Sequence, residues 1–96
     1  MGEKVLERKL VKAVKAAGGI APKFVSPGFN GMPDRLVLLP GGKIAFVEVK
    51  GYGMKPRPLQ INRHEMLHKL GFKVYVLDRK EQIQKIISET MGGDIR

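Results

Sequence analysis

The sequence predicts a small α/β domain, in which helices flank a mixed β-sheet. Three observations predict this fold class. Two apolar runs lie on either side of a Pro-Gly-Gly turn, a third apolar run follows a helical pattern, and helices are predicted at both ends of the chain. The 96 residues, 43% of them hydrophobic, suffice for one buried core. We therefore treat residues 1–96 as one domain, with residues 92–96 as a flexible tail.

The first half of the chain is predicted to contain one helix, a weak strand and a β-hairpin. Apolar residues recur every three or four positions over Glu3–Ala17, which predicts a helix that ends at a Gly-Gly pair. Lys23–Val25 is a short extended segment, followed by a loop rich in glycine and proline. The apolar strands Arg35–Leu39 and Lys43–Lys50 flank the turn at 40–42, so we expect an antiparallel hairpin.

The second half of the chain is predicted to add two helices around a third strong strand. A loop over 51–58 contains glycines and prolines that prevent regular structure. A helix over Leu59–Leu70 is ended by a glycine, Lys73–Leu77 is a β-rich apolar run, and Glu81–Met91 is the last helix. The element order is therefore α-β-β-β-α-β-α. A hairpin followed by a strand–helix–strand crossover makes the sheet mixed.

Charge is the most unusual feature of the composition. The chain has 18 Lys and Arg against nine Asp and Glu, a net charge of +9. The excess is uneven, because residues 1–25 have six basic and two acidic side chains, residues 50–80 have eight and two, and residues 26–49 have two of each. Basic side chains that neutralise phosphates release counterions, so this pattern favours DNA or another polyanion as a partner.

Several classes of protein are excluded by composition. Without cysteine, the chain has no disulfide framework, no thiolate zinc site and no cysteine nucleophile. Its longest apolar stretches are far shorter than the ~20 residues of a membrane span. The N-terminus alternates charged and apolar residues, which is not a secretory pattern. We expect an intracellular protein with neither a membrane nor a small organic cofactor as its partner.

Three charged residues at strand ends are the main candidates for chemistry. Glu48 and Lys50 share one face at the end of an apolar strand, about 6.5–7 Å apart. In the predicted hairpin, Asp34 opens the neighbouring strand and lies beside both. Two adjacent carboxylates repel each other unless a cation lies between them, and Mg²⁺ is usually held by one or two carboxylates plus phosphate oxygens. For Glu48 and Lys50 alone, the alternative is an ion pair at the sheet margin.

These residues resemble a known nuclease signature. Pro33-Asp34 followed by Glu48-Val49-Lys50 resembles the PD-(D/E)xK motif of the restriction-endonuclease-like superfamily. The surrounding sequence, from about Glu7 to Ile87, resembles the VRR-NUC family of that superfamily, in its stand-alone phage and bacterial type. The resemblance rests on 7–11, 26–28, 31–38, 46–50 and Gln60. It implies a restriction-endonuclease-like core.

The resemblance also implies a role for the residues of the signature. Asp34, Glu48 and the backbone carbonyl of Val49 would bind Mg²⁺ or Mn²⁺. Lys50 would be the catalytic lysine. Whether one metal ion or two operate is left open.

Other residues are assigned more loosely. Glu7 would reach the site from the first helix, and Glu3, one turn earlier, is an alternative. Gln60 would contact the metal shell or the DNA backbone, although Pro56-Arg57-Pro58-Leu59 replaces the serine that often precedes this glutamine in the family. Positions in the sequence suggest five phosphate contacts, namely Arg35, Lys55, Arg57, Arg63 and His64.

Stand-alone members of the family resemble homodimeric enzymes that cut branched DNA. The resemblance therefore implies a metal-dependent deoxyribonuclease that hydrolyses phosphodiester bonds in branched DNA, such as four-way (Holliday) junctions, as a homodimer. It also implies a protein of the cytoplasm of a bacterial or phage-infected cell.

Two other functions compete with this interpretation. A non-catalytic nucleic-acid-binding module would explain the charge, but carboxylates in a basic groove repel phosphate unless a metal bridges them. His64-Glu65-Met66-Leu67-His68 matches the H-E-x-x-H pattern of a small zinc-dependent hydrolase. That hydrolase would need a third ligand, for which Glu89 is the candidate, and it leaves Asp34 and the basic charge unexplained.

Overall fold

A three-stranded sheet with helices on both faces forms the fold. The computed structural model describes residues 1–92, so most of the predicted tail at 92–96 lies outside the described residues. Among the described residues, no helix is long and apolar enough to cross a membrane. The elements are α1 (Glu3–Ala16), β1 (Arg35–Leu39), β2 (Lys43–Val49), α2 (Pro58–Lys69), β3 (Lys73–Leu77) and α3 (Ile83–Thr90), which a 3₁₀ turn at Lys80–Gln82 precedes.

The sheet is mixed, with strand order β1-β2-β3. β1 and β2 are antiparallel, with Arg35 opposite Val47, whereas β2 and β3 are parallel, with Glu48 opposite Val76. The α/β fold class is confirmed. The antiparallel register also brings Asp34, which directly precedes β1, level with Glu48.

The two faces of the sheet pack against different helices. Leu6, Leu10 and Val14 form the buried stripe of α1 and pack, together with α3, on the face that includes Val47 and Val49. On the opposite face, Phe46 and Val74 pack against α2. Because side chains alternate along a strand, Glu48 shares the face of Phe46 and is directed towards α2.

The predicted weak strand is not a strand. Residues 20–24 run antiparallel beside β1, but only two isolated bridges form, Ile20 with Leu38 and Lys23 with Arg35. The carbonyl of Pro22 accepts the N–H of Leu36 at 3.0 Å, whereas the proline has no N–H to return. The proline therefore interrupts the ladder, and the sheet has three strands where the prediction had four. Other element ends differ by one or two residues.

Gly19 allows the segment at 18–24 to lie against β1. A Cβ at this position would collide with the carbonyl oxygen of Leu38, which is backbone and cannot move aside cheaply. We expect Gly19→Ala to lower the free energy of unfolding by roughly 1–3 kcal/mol, since overpacking forces backbone shifts. Urea denaturation would measure the loss. Gly2→Ala is the control, because nothing lies within 4 Å of a Cβ there; equal stability of both variants would contradict the prediction.

Candidate active site

Asp34 is fixed at the edge of the sheet by the backbone of β2. The N–H of Val49 donates to Asp34 Oδ1 at 3.0 Å, so the hairpin register holds this carboxylate against the end of the neighbouring strand. Burial raises the pKa of Asp34; the Val49 hydrogen bond opposes this, and the negative charge of Glu7 adds to it. The structure thus gives the N–H of Val49 a role, while metal binding by its carbonyl stays a prediction.

Glu48 is the most buried charged residue of the described chain, with a relative exposure of 3%. Gln60 Nε2 donates to its Oε2 at 3.0 Å, and Lys50 Nζ lies 3.8 Å from the same oxygen. Burial, and then the negative charge of Asp34, raises the pKa of Glu48 to about 7. The predicted grouping of Asp34, Glu48 and Lys50 is therefore present in the structure.

Gln60 connects Glu48 to the start of α2. Its Oε1 accepts the backbone N–H of Arg57 at 2.8 Å, which is the residue that caps the helix. Its Nε2 donates to Glu48 Oε2. Both ends of the amide are therefore engaged within the protein, and Gln60 orients the carboxylate directly.

His64 lies one turn after Gln60 and faces the same carboxylate. Its Nε2 is 3.6 Å from Glu48 Oε1, which is beyond hydrogen-bond distance. Burial, together with the nearby charges of His68 and Lys50, lowers the pKa of His64, so the neutral ring is favoured. His64 therefore lies beside Oε1, the oxygen of Glu48 that Gln60 does not contact.

Both glutamates of the first helix reach Asp34. Carboxylate oxygens of Glu3, Glu7 and Asp34 all lie within 4.8 Å of one another. The two alternatives posed by the sequence, Glu7 and Glu3, are thus both next to the site. Only Glu7 is held by a cation, since Arg35 Nη2 donates to its Oε1 at 2.7 Å.

Arg35 differs from its predicted role as a phosphate contact. Its side chain is only 13% exposed, and Nη1 donates to the carbonyl of Ala21 at 2.7 Å. Arg35 is paired with Val47 across the hairpin, and paired residues project to the same face, here the face covered by α1. Arg35 therefore holds Glu7 and the segment at 20–24 instead of facing the site.

Of the other predicted phosphate contacts, Lys55 and Arg57 are exposed and Arg63 is held by the protein. Arg63 Nε donates to the carbonyl of Asn30 at 2.8 Å, and its guanidinium lies 4.0 Å from the centroid of the Phe29 ring. Arg63 thus fixes the glycine-rich loop onto α2. Cation–π stacking of this kind orders both partners.

The H-E-x-x-H residues do not form a zinc site in the described part of the chain. His68 Nε2 lies 3.3 Å from the carbonyl of Val74, and Glu65 is exposed. Glu89, the candidate third ligand, accepts the hydroxyl of Tyr75 at 2.8 Å. Within residues 1–92, the group of three side chains whose oxygens lie close enough together for a metal ion is Glu3, Glu7 and Asp34, which includes the first predicted ligand but not Glu48.

The donor set at the sheet edge fits a hard divalent cation. Glu48 Oε1 is buried and has no hydrogen-bond partner among residues 1–92, so nothing there compensates the negative charge of the ionised carboxylate at this oxygen. After burial, the negative charge of Asp34 raises the pKa of Glu48, and the negative charges of Glu7 and Glu3 raise the pKa of Asp34. Mg²⁺ and Mn²⁺ prefer oxygen ligands of this kind, and a positive charge here would remove the repulsion.

Comparison with models of known protein families gives no match. A solved structure described as a VRR-NUC domain is 38% identical, with a TM-score of 0.83 over 90% of this chain and 94% of that chain. A second, described as a VRR-NUC domain protein, has a TM-score of 0.75 over 96% of this chain and 89% of its own, and its 17% identity supports the fold alone.

A curated phage protein is similar over most of the sequence. The "Putative nuclease p44" of Acyrthosiphon pisum secondary endosymbiont phage 1 is 54% identical over 79 residues, which cover 82% of this chain and 85% of that protein. The 38% identical VRR-NUC structure covers a similar share of this chain, so the two comparisons agree. The chain belongs to the VRR-NUC family of nucleases.

Proposed function

We propose that this nuclease is a metal-dependent DNA endonuclease that hydrolyses phosphodiester bonds. The observation that supports this most strongly is the buried Glu48, which lies beside Asp34 and within 3.8 Å of Lys50 Nζ at one edge of the sheet. Two carboxylates and a lysine in this arrangement suit phosphate hydrolysis and have no use in a protein that only binds DNA. The net charge of +9 supports DNA as the substrate.

Mg²⁺ or Mn²⁺ would be held by Asp34 and Glu48, with the carbonyl of Val49 as a further ligand. When bound, the ion would supply positive charge that offsets the charge developing on the phosphate during attack by water. Glu7 and Glu3 would hold water near the ion. Arg35 orients Glu7 for this purpose, through the hydrogen bond from its Nη2 to Glu7 Oε1.

Lys50 is placed to assist the attack. Its ammonium group, next to Glu48 Oε2, can donate to the attacking water or to an oxygen of the phosphate. In the hydrolysis, the water oxygen bonds to phosphorus and one P–O ester bond breaks. The proton that the water loses is balanced by the proton that the leaving oxygen gains.

We also propose branched DNA as the preferred substrate and a homodimer as the active form. Side chains that contact phosphates position a protein without reading the base sequence, which suits recognition by shape. A dimer with two-fold symmetry would place two active sites on a junction whose arms are also related by two-fold symmetry. We propose the cytoplasm of a bacterial or phage-infected cell as its location.

Lys50→Ala tests the catalytic proposal. We expect it to slow cleavage of a labelled four-way junction by about 10²–10⁴-fold, because a positioned donor is lost from the transition state. DNA binding should persist, since the other basic side chains of residues 50–80 remain. Lys85→Ala is the control, because Lys85 is exposed on α3 and has no role in the site, so this variant should keep most of the cleavage.

The same assay compares the junction with a matched linear duplex, in Mg²⁺, Mn²⁺ or EDTA. Paired, metal-dependent nicks in the junction support the whole proposal. Equal cutting of both substrates would remove the branched-DNA preference and keep the nuclease. Tight binding without cleavage in either metal would overturn the enzymatic function in favour of a binding module.

Metal binding can be measured without activity. We expect calorimetric titration with Mn²⁺ to show binding that Asp34→Asn and Glu48→Gln each weaken by more than about tenfold, because each removes a charged ligand. Glu65→Gln is the control, since Glu65 is exposed on α2. Unchanged affinity in both site variants would place the metal elsewhere, and an equal loss in Glu65→Gln would mean that the effect is not specific to the site.

The oligomeric state is tested by sedimentation velocity. The chain has a mass of 10.7 kDa, and we expect a species of twice that mass at micromolar concentration. A monomer at all concentrations, with full cleavage of the junction, would contradict the homodimer.

A further inference from the structure

The segment that joins β2 to α2, residues 51–57, borders the carboxylate pair at both ends. It begins directly after Lys50, whose Nζ lies 3.8 Å from Glu48. It ends at Arg57, whose N–H is bound by Gln60 and whose charge lowers the pKa of Glu48 against the larger effect of burial. A molecule in contact with this segment is therefore next to the candidate active site.

The backbone of this segment is held by hydrogen bonds on three sides. The N–H of Met54 donates to Gly51 O at 2.9 Å, which closes a tight turn. The N–H of Gly53 donates to Asp78 Oδ2 at 3.3 Å, and the N–H of Tyr52 donates to Met1 O at 3.2 Å. The turn is thus fixed to the end of β3 and to the start of the chain.

Two large side chains project from this ordered turn into solvent. Tyr52 is 63% exposed and Met54 is 62% exposed. The guanidinium of Arg79 lies 5.4 Å from the centroid of the Tyr52 ring. The sequence of the turn and its ends contains Lys50, Lys55 and Arg57, and Arg79 beside Tyr52 also lies 4.0 Å from Asp78 Oδ1.

Charge decides what kind of molecule fits this surface. A second copy of the chain or an apolar protein partner would cover Tyr52 and Met54, but it would also have to offset the surrounding positive charge. A nucleotide satisfies both requirements, because its base stacks on aromatic and guanidinium planes and its phosphate pairs with the cations. Only an unpaired base presents a free face to such a ring, since a paired base is stacked within the duplex.

We propose that Tyr52, backed by Arg79, stacks on one unpaired base of the DNA beside the cleaved bond. Tyr52 is two residues from Lys50, a reach of at most about 7 Å of backbone. That distance corresponds to about two nucleotides at 3.4 Å per step. Among branched DNAs, the preferred substrate is then one with a base unpaired within one or two nucleotides of the scissile phosphate. This inference rests on the proposed function as a DNA endonuclease.

The test uses two labelled duplexes that differ only in a single additional, unpaired 2-aminopurine nucleotide, which forms a bulge in one of them. We expect Tyr52→Ala to weaken binding and slow cleavage of the bulged duplex by about 5–100-fold, in line with the stacking energy of one base on an aromatic ring. Cleavage of the fully paired duplex should change less than about twofold. Tyr52→Phe, which keeps the ring, should restore the bulged duplex to near the original rate.

Fluorescence of the 2-aminopurine gives a readout that does not depend on cleavage. In EDTA, we expect the original protein to quench the unpaired base and Tyr52→Ala to leave it bright. Leu70→Ala is the control for loss of an exposed apolar side chain, since Leu70 is 67% exposed at the far end of α2. It should quench as the original protein does.

Three outcomes would overturn the inference. Equal losses on both duplexes would mean that Tyr52 has a structural role, and failure of Tyr52→Phe to restore the rate would exclude stacking. A change of oligomeric state in Tyr52→Ala, measured by sedimentation, would identify the exposed side chains of Tyr52 and Met54 as part of an interface between copies of the chain. Absence of cleavage by the original protein would contradict the proposed function instead, while the fluorescence arm would still test stacking.

Discussion

The burial of Glu48 is the constraint on which the rest of the site depends. A carboxylate with a relative exposure of 3% loses its hydration and needs compensation from neighbouring groups. Gln60 and Lys50 provide this at one oxygen, whereas the other oxygen has no hydrogen-bond partner among residues 1–92. Asp34 adds a second negative charge nearby. A positive charge close to Glu48 would therefore stabilise the ionised carboxylates, and a divalent cation would supply that charge.

Alternation of side chains along β2 lets one strand serve both the core and the site. Val47 and Val49 are buried against α1 and α3, and Glu48 between them faces α2, which supplies Gln60. The same rule separates Arg35 from the carboxylate pair, since its partner across the hairpin is Val47. Two adjacent positions of one hairpin therefore have different roles: Asp34 lies at the edge proposed to bind the metal, and Arg35 holds Glu7 of the first helix.

The strand pattern was predictable, and much of the site follows from it. The bounds of β1 and β3 agree with the prediction, and the hairpin alone brings Asp34 next to Glu48, because antiparallel pairing needs only a turn between two apolar runs. The burial of Arg35 could also have been read from the register. The contacts of Arg63 could not, because Asn30 is 33 residues away in a loop whose path depends on tertiary packing. The pairing of residues 20–24 with β1, including the bridge at Lys23, likewise depends on tertiary packing, although the missing N–H of Pro22 can be read from the sequence.

The charge distribution joins substrate binding to cleavage. Basic side chains lie on the segments before and after the hairpin, while the hairpin itself holds Asp34 and Glu48 at its edge. A nucleic acid strand is attracted by the basic rim but repelled at the centre as long as both carboxylates are ionised and unneutralised. A cation at the centre reverses that repulsion at the position where Lys50 can act. The exposed ring of Tyr52 follows Lys50 by two residues, so a strand held for cleavage at Lys50 would also lie next to that ring. Metal binding and recognition of the strand would then be required at the same point, so a bound strand without the metal would not be cut.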